Sequence, residues 1–188
     1  MKNKKIFFLT VLLLILIVTG ASVGYKNLSE EYSVPGETVL DTADERDEVK
    51  APDFTVQDEK MNRVKLADFK GKPIIINFWA TWCGPCKMEM PYFEEAYNQY
   101  KDKINFMMVN LTDGQRDTID SVRNFIENNK YTFPVYYDTE YSAANAYRTY
   151  QIPVTVFIGS DGMIKNMHTG SLRESMLKAY IEELINDK

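Results

Sequence analysis

A chain of 188 residues with 22 basic and 27 acidic side chains carries a formal net charge of −5, which argues against a nucleic-acid-binding role built on a basic surface. Its length fits one packed domain with extra segments beside it. Two cysteines and one histidine are too few for a four-thiolate or Cys2His2 zinc site, so no metal centre and no cofactor is expected.

Lys2, Lys4 and Lys5 precede a run from Ile6 to Val18 that is apolar apart from Thr10, and small residues follow at Thr19 to Ser22. This pattern is a targeting segment or anchor rather than fold. An A-x-A cleavage site is missing and the apolar stretch can be counted on to Tyr25, which favours an uncleaved single membrane pass over residues 1–25. No cysteine follows the run, so lipid attachment at a processed cysteine is excluded. The positive-inside rule keeps the lysines in the cytoplasm and puts everything after Tyr25 on the extracytoplasmic side. Residues 26–50 hold eight acidic side chains against three basic ones, with a Pro35-Gly36 turn signal, and read as a solvated linker. Residues 51–188 form the folded domain, nearly balanced at 16 basic and 19 acidic.

Within that domain, strands alternate with helices, the pattern of an α/β layered fold. Pro73 to Ala80 (PIIINFWA) is the strongest strand, apolar enough to be buried on both faces of a sheet. A helix follows from Cys83 to Tyr100, with Met90, Phe93, Ala96, Tyr97 and Tyr100 at helical spacing. Ile104 to Leu111 is a second core strand, Thr112-Asp113-Gly114 a loop, and Thr118 to Asn129 a helix with Ile119, Val122, Phe125 and Ile126 on one stripe. Phe133 to Tyr136 is a short strand and Glu140 to Tyr150 a short helix. Val154 to Ile158 and Met163 to His168 pair as a hairpin around the Asp161-Gly162 turn, and the capping box Ser171-Leu172-Arg173-Glu174 opens a last helix.

Both cysteines fall in WATWCGPCK, residues 79–87, where the core strand passes into a helix. A bridge from Cys83 to Cys86 closes almost no loop and so stabilises little, which leaves redox chemistry as the strongest reading. Unpartnered N–H groups and the macrodipole at a helix start favour thiolate at Cys83, and Pro85 fits the first turn because it lacks an N–H that would be unpaired anyway. Thioredoxin is a known example of this geometry. Cys86, one turn further along, can resolve a mixed disulfide formed by Cys83.

Trp82-Cys83-Gly84-Pro85-Cys86-Lys87 resembles the thioredoxin active site. With Ala51-Pro52-Asp53-Phe54, Phe69-Lys70-Gly71-Lys72-Pro73, Asn77-Phe78-Trp79-Ala80, Glu89-Met90-Pro91 and Thr132-Phe133-Pro134-Val135, the chain resembles the membrane-anchored extracytoplasmic thioredoxin-like proteins of bacteria, the TlpA/ResA type. The resemblance runs from Ala51 to about Gly170. It implies a thioredoxin-like fold, with a central mixed β-sheet flanked by helices, and Pro153 in Gln151-Ile152-Pro153-Val154-Thr155 as a cis-proline facing the cysteines. Ile152 would then offer backbone polar groups to an extended peptide, while Trp82, Gly84 and Pro85 flank the substrate. Thioredoxin has a buried aspartate where this chain has Asn77, which cannot ionise. Relatives place an acid in the loop after the next strand, which makes Asp113 the candidate proton acceptor, with a raised pKa; the plain alternative is a turn-forming aspartate.

The resemblance implies a membrane-tethered thiol-disulfide oxidoreductase, with Gly84-Pro85 like that of the reducing thioredoxins. Its implied partners are a transmembrane thiol electron donor and disulfide-bearing proteins. In the family the latter include apocytochrome c, as in cytochrome c maturation, spore-cortex proteins and methionine-sulfoxide repair enzymes. An oxidase that forms disulfides in secreted proteins is the alternative within redox chemistry. A peroxidase would need threonine where Ala80 stands. A copper(I) carrier could add Met88 or Met90 to the two thiolates, although two helical positions apart these diverge. His168, the single histidine, is given no catalytic role.

Overall fold

The computed structural model describes Thr19, residues 49–69 and residues 71–186. The anchor expected over residues 1–25, Thr19 apart, and the linker over 26–48 lie outside the described residues. Among the described residues no helix is long and apolar enough to cross a membrane.

The elements are β1 (Thr55–Gln57), β2 (Arg63–Lys65), a 3-10 turn (Leu66–Asp68), β3 (Ile74–Trp79), α1 (Gly84–Tyr100), β4 (Asn105–Asn110), α2 (Ile119–Asn129), β5 (Val135–Tyr137), α3 (Ser142–Ala146), β6 (Val154–Ile158), β7 (Ile164–Thr169) and α4 (Glu174–Asn186). One mixed sheet takes the strands in the order β2-β1-β5-β4-β3-β6-β7. β3, β4 and β5 run parallel, joined by crossovers that contain α1 and α2, whereas β6 is antiparallel to β3 and β7 to β6. This is the α/β thioredoxin-like arrangement expected from the sequence.

β3 is central and every one of its residues is buried. Alternation along the strand divides its side chains between two cores. Ile75 and Trp79 pack with Met90 and Phe93 of α1 and with Leu177 and Ile181 of α4. Ile74, Ile76 and Phe78 pack with Val109, Val156 and Tyr147 on the opposite face. Burying each of these large apolar side chains contributes about 1.5–3 kcal/mol. Asn77 falls between Ile75 and Trp79, so its polar side chain is committed to the α1 face.

Three expectations shift. The helix expected over Glu140–Tyr150 is only Ser142–Ala146, because Tyr141 and Arg148 at its two ends adopt left-handed backbone with φ of 54° and 51°. The last helix starts at Glu174 rather than inside the Ser171 capping box, with the Met176 and Leu177 N–H groups donating to the Arg173 carbonyl. The β1–β2 hairpin, with three-residue strands around a turn held by the Asp58 carboxylate, had no clear sequence signal.

Candidate active site

β3 ends at Trp79 and the chain turns sharply, the Cys83 N–H donating to the Ala80 carbonyl at 3.1 Å. α1 then begins at Gly84 with Cys83 as its N-cap, and Pro85 lies in its first turn. The cap acceptor is a sulfur: the Cys86 N–H donates to Cys83 Sγ at 3.2 Å. A thiolate there takes a first-turn donor and the positive end of the helix, both of which lower a thiol pKa. Cys83 and Cys86 are joined as a disulfide with Cα atoms 5.3 Å apart. Cys83 is 5% exposed and Cys86 not at all, so of the two residues Cys83 alone has surface open to solvent.

From the other side of the sheet's end comes the Ile152–Pro153 peptide, which is cis. The Ile152 carbonyl oxygen stands 3.8 Å from Cys83 Sγ, and the Pro153 carbonyl accepts the Gly170 N–H at 2.8 Å, fixing the loop to the end of β7. Trp82, 43% exposed, flanks the disulfide, whereas Gly84 and Pro85 are exposed at the start of α1.

Two acids near the disulfide, Asp113 and Glu89, sit in opposite settings. Asp113 turns its carboxylate back into its own loop, where Oδ1 accepts the N–H groups of Gln115, Arg116 and Asp117 at 2.8, 2.7 and 3.0 Å and Oδ2 accepts Arg116 Nε at 3.2 Å. The Asp117 amide foremost, and these other donors with it, hold its pKa down at about 2. A raised pKa is thus overturned for Asp113, which has the geometry of a turn former.

Glu89 takes the buried position instead. It lies one turn beyond Cys86 on the same face of α1 and is 0% exposed. Oε1 accepts Asn77 Nδ2 at 2.8 Å and Oε2 accepts the Leu172 N–H at 2.6 Å, with the Ser171 hydroxyl as a further partner. All three partners are neutral. Burial outweighs them and pushes the Glu89 pKa up to about 7. Asn77 also donates to Thr155 Oγ1 at 3.1 Å, which ties the acid to β6 just beyond Pro153. The diversion of Ser171 and Leu172 to Glu89 explains why the expected capping box does not open α4. Sequence reasoning placed Glu89 in a family motif without a role. Its offset of three from Cys86, opposite an uncharged Asn77, was the available signal.

A second buried carboxylate, Asp117, fastens the loop after β4 to the turn that carries the disulfide. It accepts the Thr81 N–H at 2.8 Å, the Thr81 hydroxyl, and Asn110 Nδ2 at 2.8 Å. Met88 faces solvent at 64% exposure whereas Met90 is buried in the core cluster that holds both cysteines, so the two methionines point apart and do not converge on the sulfurs as a pair.

The AhpC/TSA family profile matches residues 48–167. The thiol-disulfide oxidoreductase ResA of Bacillus subtilis (strain 168) is 32% identical over 181 residues, 96% of this chain and 93% of its own. ResA of Geobacillus kaustophilus (strain HTA426) is 30% identical over 184 residues, 97% of this chain and 98% of its own. Among solved structures, StoA from Bacillus subtilis superposes with a TM-score of 0.61 at 27% identity, covering 70% of this chain and 97% of that one. With a disulfide at a helix N-cap, a cis-proline against it and these relatives, the chain belongs to the AhpC/TSA family and, within it, to the thiol-disulfide oxidoreductases of the TlpA/ResA type.

Proposed function

We propose that this enzyme is a membrane-tethered, extracytoplasmic reductant of protein disulfides, and the observation that carries the reading is a buried carboxyl group one turn from a helix-capping disulfide. In the reduced enzyme, the Cys83 thiolate attacks a substrate disulfide and forms a mixed disulfide while one substrate sulfur leaves as thiolate and takes a proton. Glu89 accepts the proton of Cys86. The Cys86 thiolate then attacks Cys83 Sγ, restores the disulfide seen in the structure and releases the second substrate sulfur reduced. Two electrons have passed to the substrate, and an external dithiol must return them.

Direction is argued from charge. Once ionised, Glu89 disfavours negative sulfur nearby, which destabilises the reduced enzyme relative to its disulfide and makes the dithiol a better donor. Gly84-Pro85, like the dipeptide of reducing thioredoxins, supports the same direction. The apolar run from Ile6 to Val18 behind three lysines supports the tether. Apocytochrome c, spore-cortex and methionine-sulfoxide repair proteins are the substrate classes implied by the family resemblance, with a transmembrane thiol protein as donor.

The test is the reduction potential of the Cys83–Cys86 couple, measured against glutathione or dithiothreitol buffers. A value near thioredoxin's ≈ −270 mV supports the reductant, whereas one above about −180 mV assigns the oxidase instead. Brief alkylation of the reduced enzyme at neutral pH should label Cys83 well before Cys86, and the reverse order exchanges the two roles.

A further inference from the structure

Arg116 lies against the residue that precedes the first cysteine, and the exchange chemistry gives it no part. Its guanidinium carbon stands 3.9 Å over the centroid of the Trp82 ring, the residue next to Cys83. On its other side Nε donates to Asp113 Oδ2 at 3.2 Å. Stacking and the single hydrogen bond to Asp113 together hold the plane of the side chain, yet the side chain remains 64% exposed. Among the described residues its Nη1 and Nη2 groups have no protein acceptor. The first turn of α1 carries no acid, Glu89 and Asp117 are buried, and the exposed Lys87 follows Cys86 directly.

A planar, pre-oriented guanidinium with free terminal donors suits one chemical class above others, a carboxylate taken through paired hydrogen bonds. The indole beneath strengthens the cation's position, and because the side chain is already ordered, binding costs little further rotamer entropy. We propose that Arg116 is a specificity-determining residue that takes the carboxylate of an Asp or Glu flanking the substrate's cysteine, so that preferred substrates are polypeptides acidic beside their disulfide. This rests on the thiol-disulfide reading above and narrows its substrate class.

The experiment uses the full chain in detergent and three disulfide peptides that differ only in the residues flanking the cysteines: Glu, Gln or Lys. With wild-type protein at low salt, kcat/KM should fall in the order Glu, Gln, Lys, with about three- to tenfold between the extremes, the scale of a rim charge contact. High salt should compress that range. Arg116→Gln should bring the Glu-to-Lys ratio close to one, and Arg116→Lys should keep a smaller preference because the planar fork is lost. Equal wild-type rates on all three peptides, or an unchanged ratio in Arg116→Gln, overturns the assignment while leaving the enzyme's activity in place. Exchange with none of the peptides overturns the thiol-disulfide reading and this inference together. The wild-type peptide series needs no variant, so a misfolded substitution does not spoil the test.

Discussion

Asp113 and Glu89 are both carboxylic acids close in sequence to core strands, and the fold drives them in opposite directions. Asp113 stands in a loop where three backbone N–H groups and an arginine converge on it, and its pKa is held at about 2. Glu89 has lost its water and gained only neutral donors, so its pKa rises to about 7. Residue type says little about which acid can take a proton near neutrality; the number and charge of its donors against its loss of solvent decides.

The strongest way to break that contrast is to neutralise each acid in turn. Glu89→Gln keeps the shape of the buried site and removes the base, so insulin reduction should slow by about tenfold or more, at or somewhat below the usual general-base contribution of 10²–10⁴. Initial alkylation of Cys83 should change much less. Asp113→Asn should leave insulin turnover within about twofold, because the amide oxygen can still accept the loop N–H groups. If the two variants exchange these outcomes, the proton acceptor is Asp113 after all.

Stability against pH sharpens the same comparison, because the two acids give slopes of opposite sign. Glu89 binds its proton more tightly folded than unfolded, so folding is favoured most below pH 4.5 and loses ground as the pH rises to about 7. That loss amounts to a few kcal/mol, at about 1.4 kcal/mol for each unit of pH. Asp113 does the reverse: its contribution is present above pH 3.8 and lost as the pH falls towards about 2. Urea midpoints across pH should show Glu89→Gln improving relative to wild type as the pH rises from 4.5 to about 7, starting from a constant offset because its NH2 must face either the Leu172 N–H or Asn77 Nδ2. A parallel displacement at every pH would mean that Glu89 is not the group titrating.

Asp117 offers a smaller and more local test. Asp117→Ala removes the oxygen shared by the Thr81 N–H and Asn110 Nδ2 and should cost about 1–3 kcal/mol by leaving buried donors unpaired, whereas Asp117→Asn can keep its amide oxygen in the Oδ2 position, turn its NH2 to the Thr81 hydroxyl and lose much less. Urea midpoints check the order; a loss as large in Asp117→Asn as in Asp117→Ala would mean that the charge, and not the shared acceptor, fixes the Thr81 turn. Gly84→Ala carries the smallest effect. The glycine sits at the first position of α1 without positive φ, and an added Cβ would meet nothing within 4 Å. A gain of up to about 1 kcal/mol in unfolding free energy is expected, with exchange rates little changed.

The parts of this molecule legible in the sequence are those whose cause is local. β3 announces itself as an apolar run, α2 by its stripe and by Thr118, whose hydroxyl accepts the Ser121 N–H at 3.2 Å, and the hairpin turn by Asp161-Gly162, where Gly162 has φ 83°. The cysteine pair and the proline before β6 stand in motifs short enough to read directly. Glu89 could not be read that way, because a glutamate in a helix looks the same whether solvated or sealed. Its burial depends on Asn77, 12 residues earlier, and Leu172, 83 residues later. Asp113 misled for the mirror reason: its loop does lie beside the active-site turn, as parallel β3 and β4 require, but the donors that bind its carboxylate come from within the loop itself.

The hydrogen bond from Leu172 to Glu89 has a consequence for the making of the protein. A chain emerging from the ribosome completes both cysteines and Glu89 long before it reaches the segment that closes over the acid, 83 residues downstream. Until Ser171 and Leu172 arrive, that carboxyl group faces water and titrates as an ordinary glutamate. The thiol pair thus exists early, whereas the sealed setting that raises the pKa of the proposed proton acceptor arises only when Ser171 and Leu172 have folded over it.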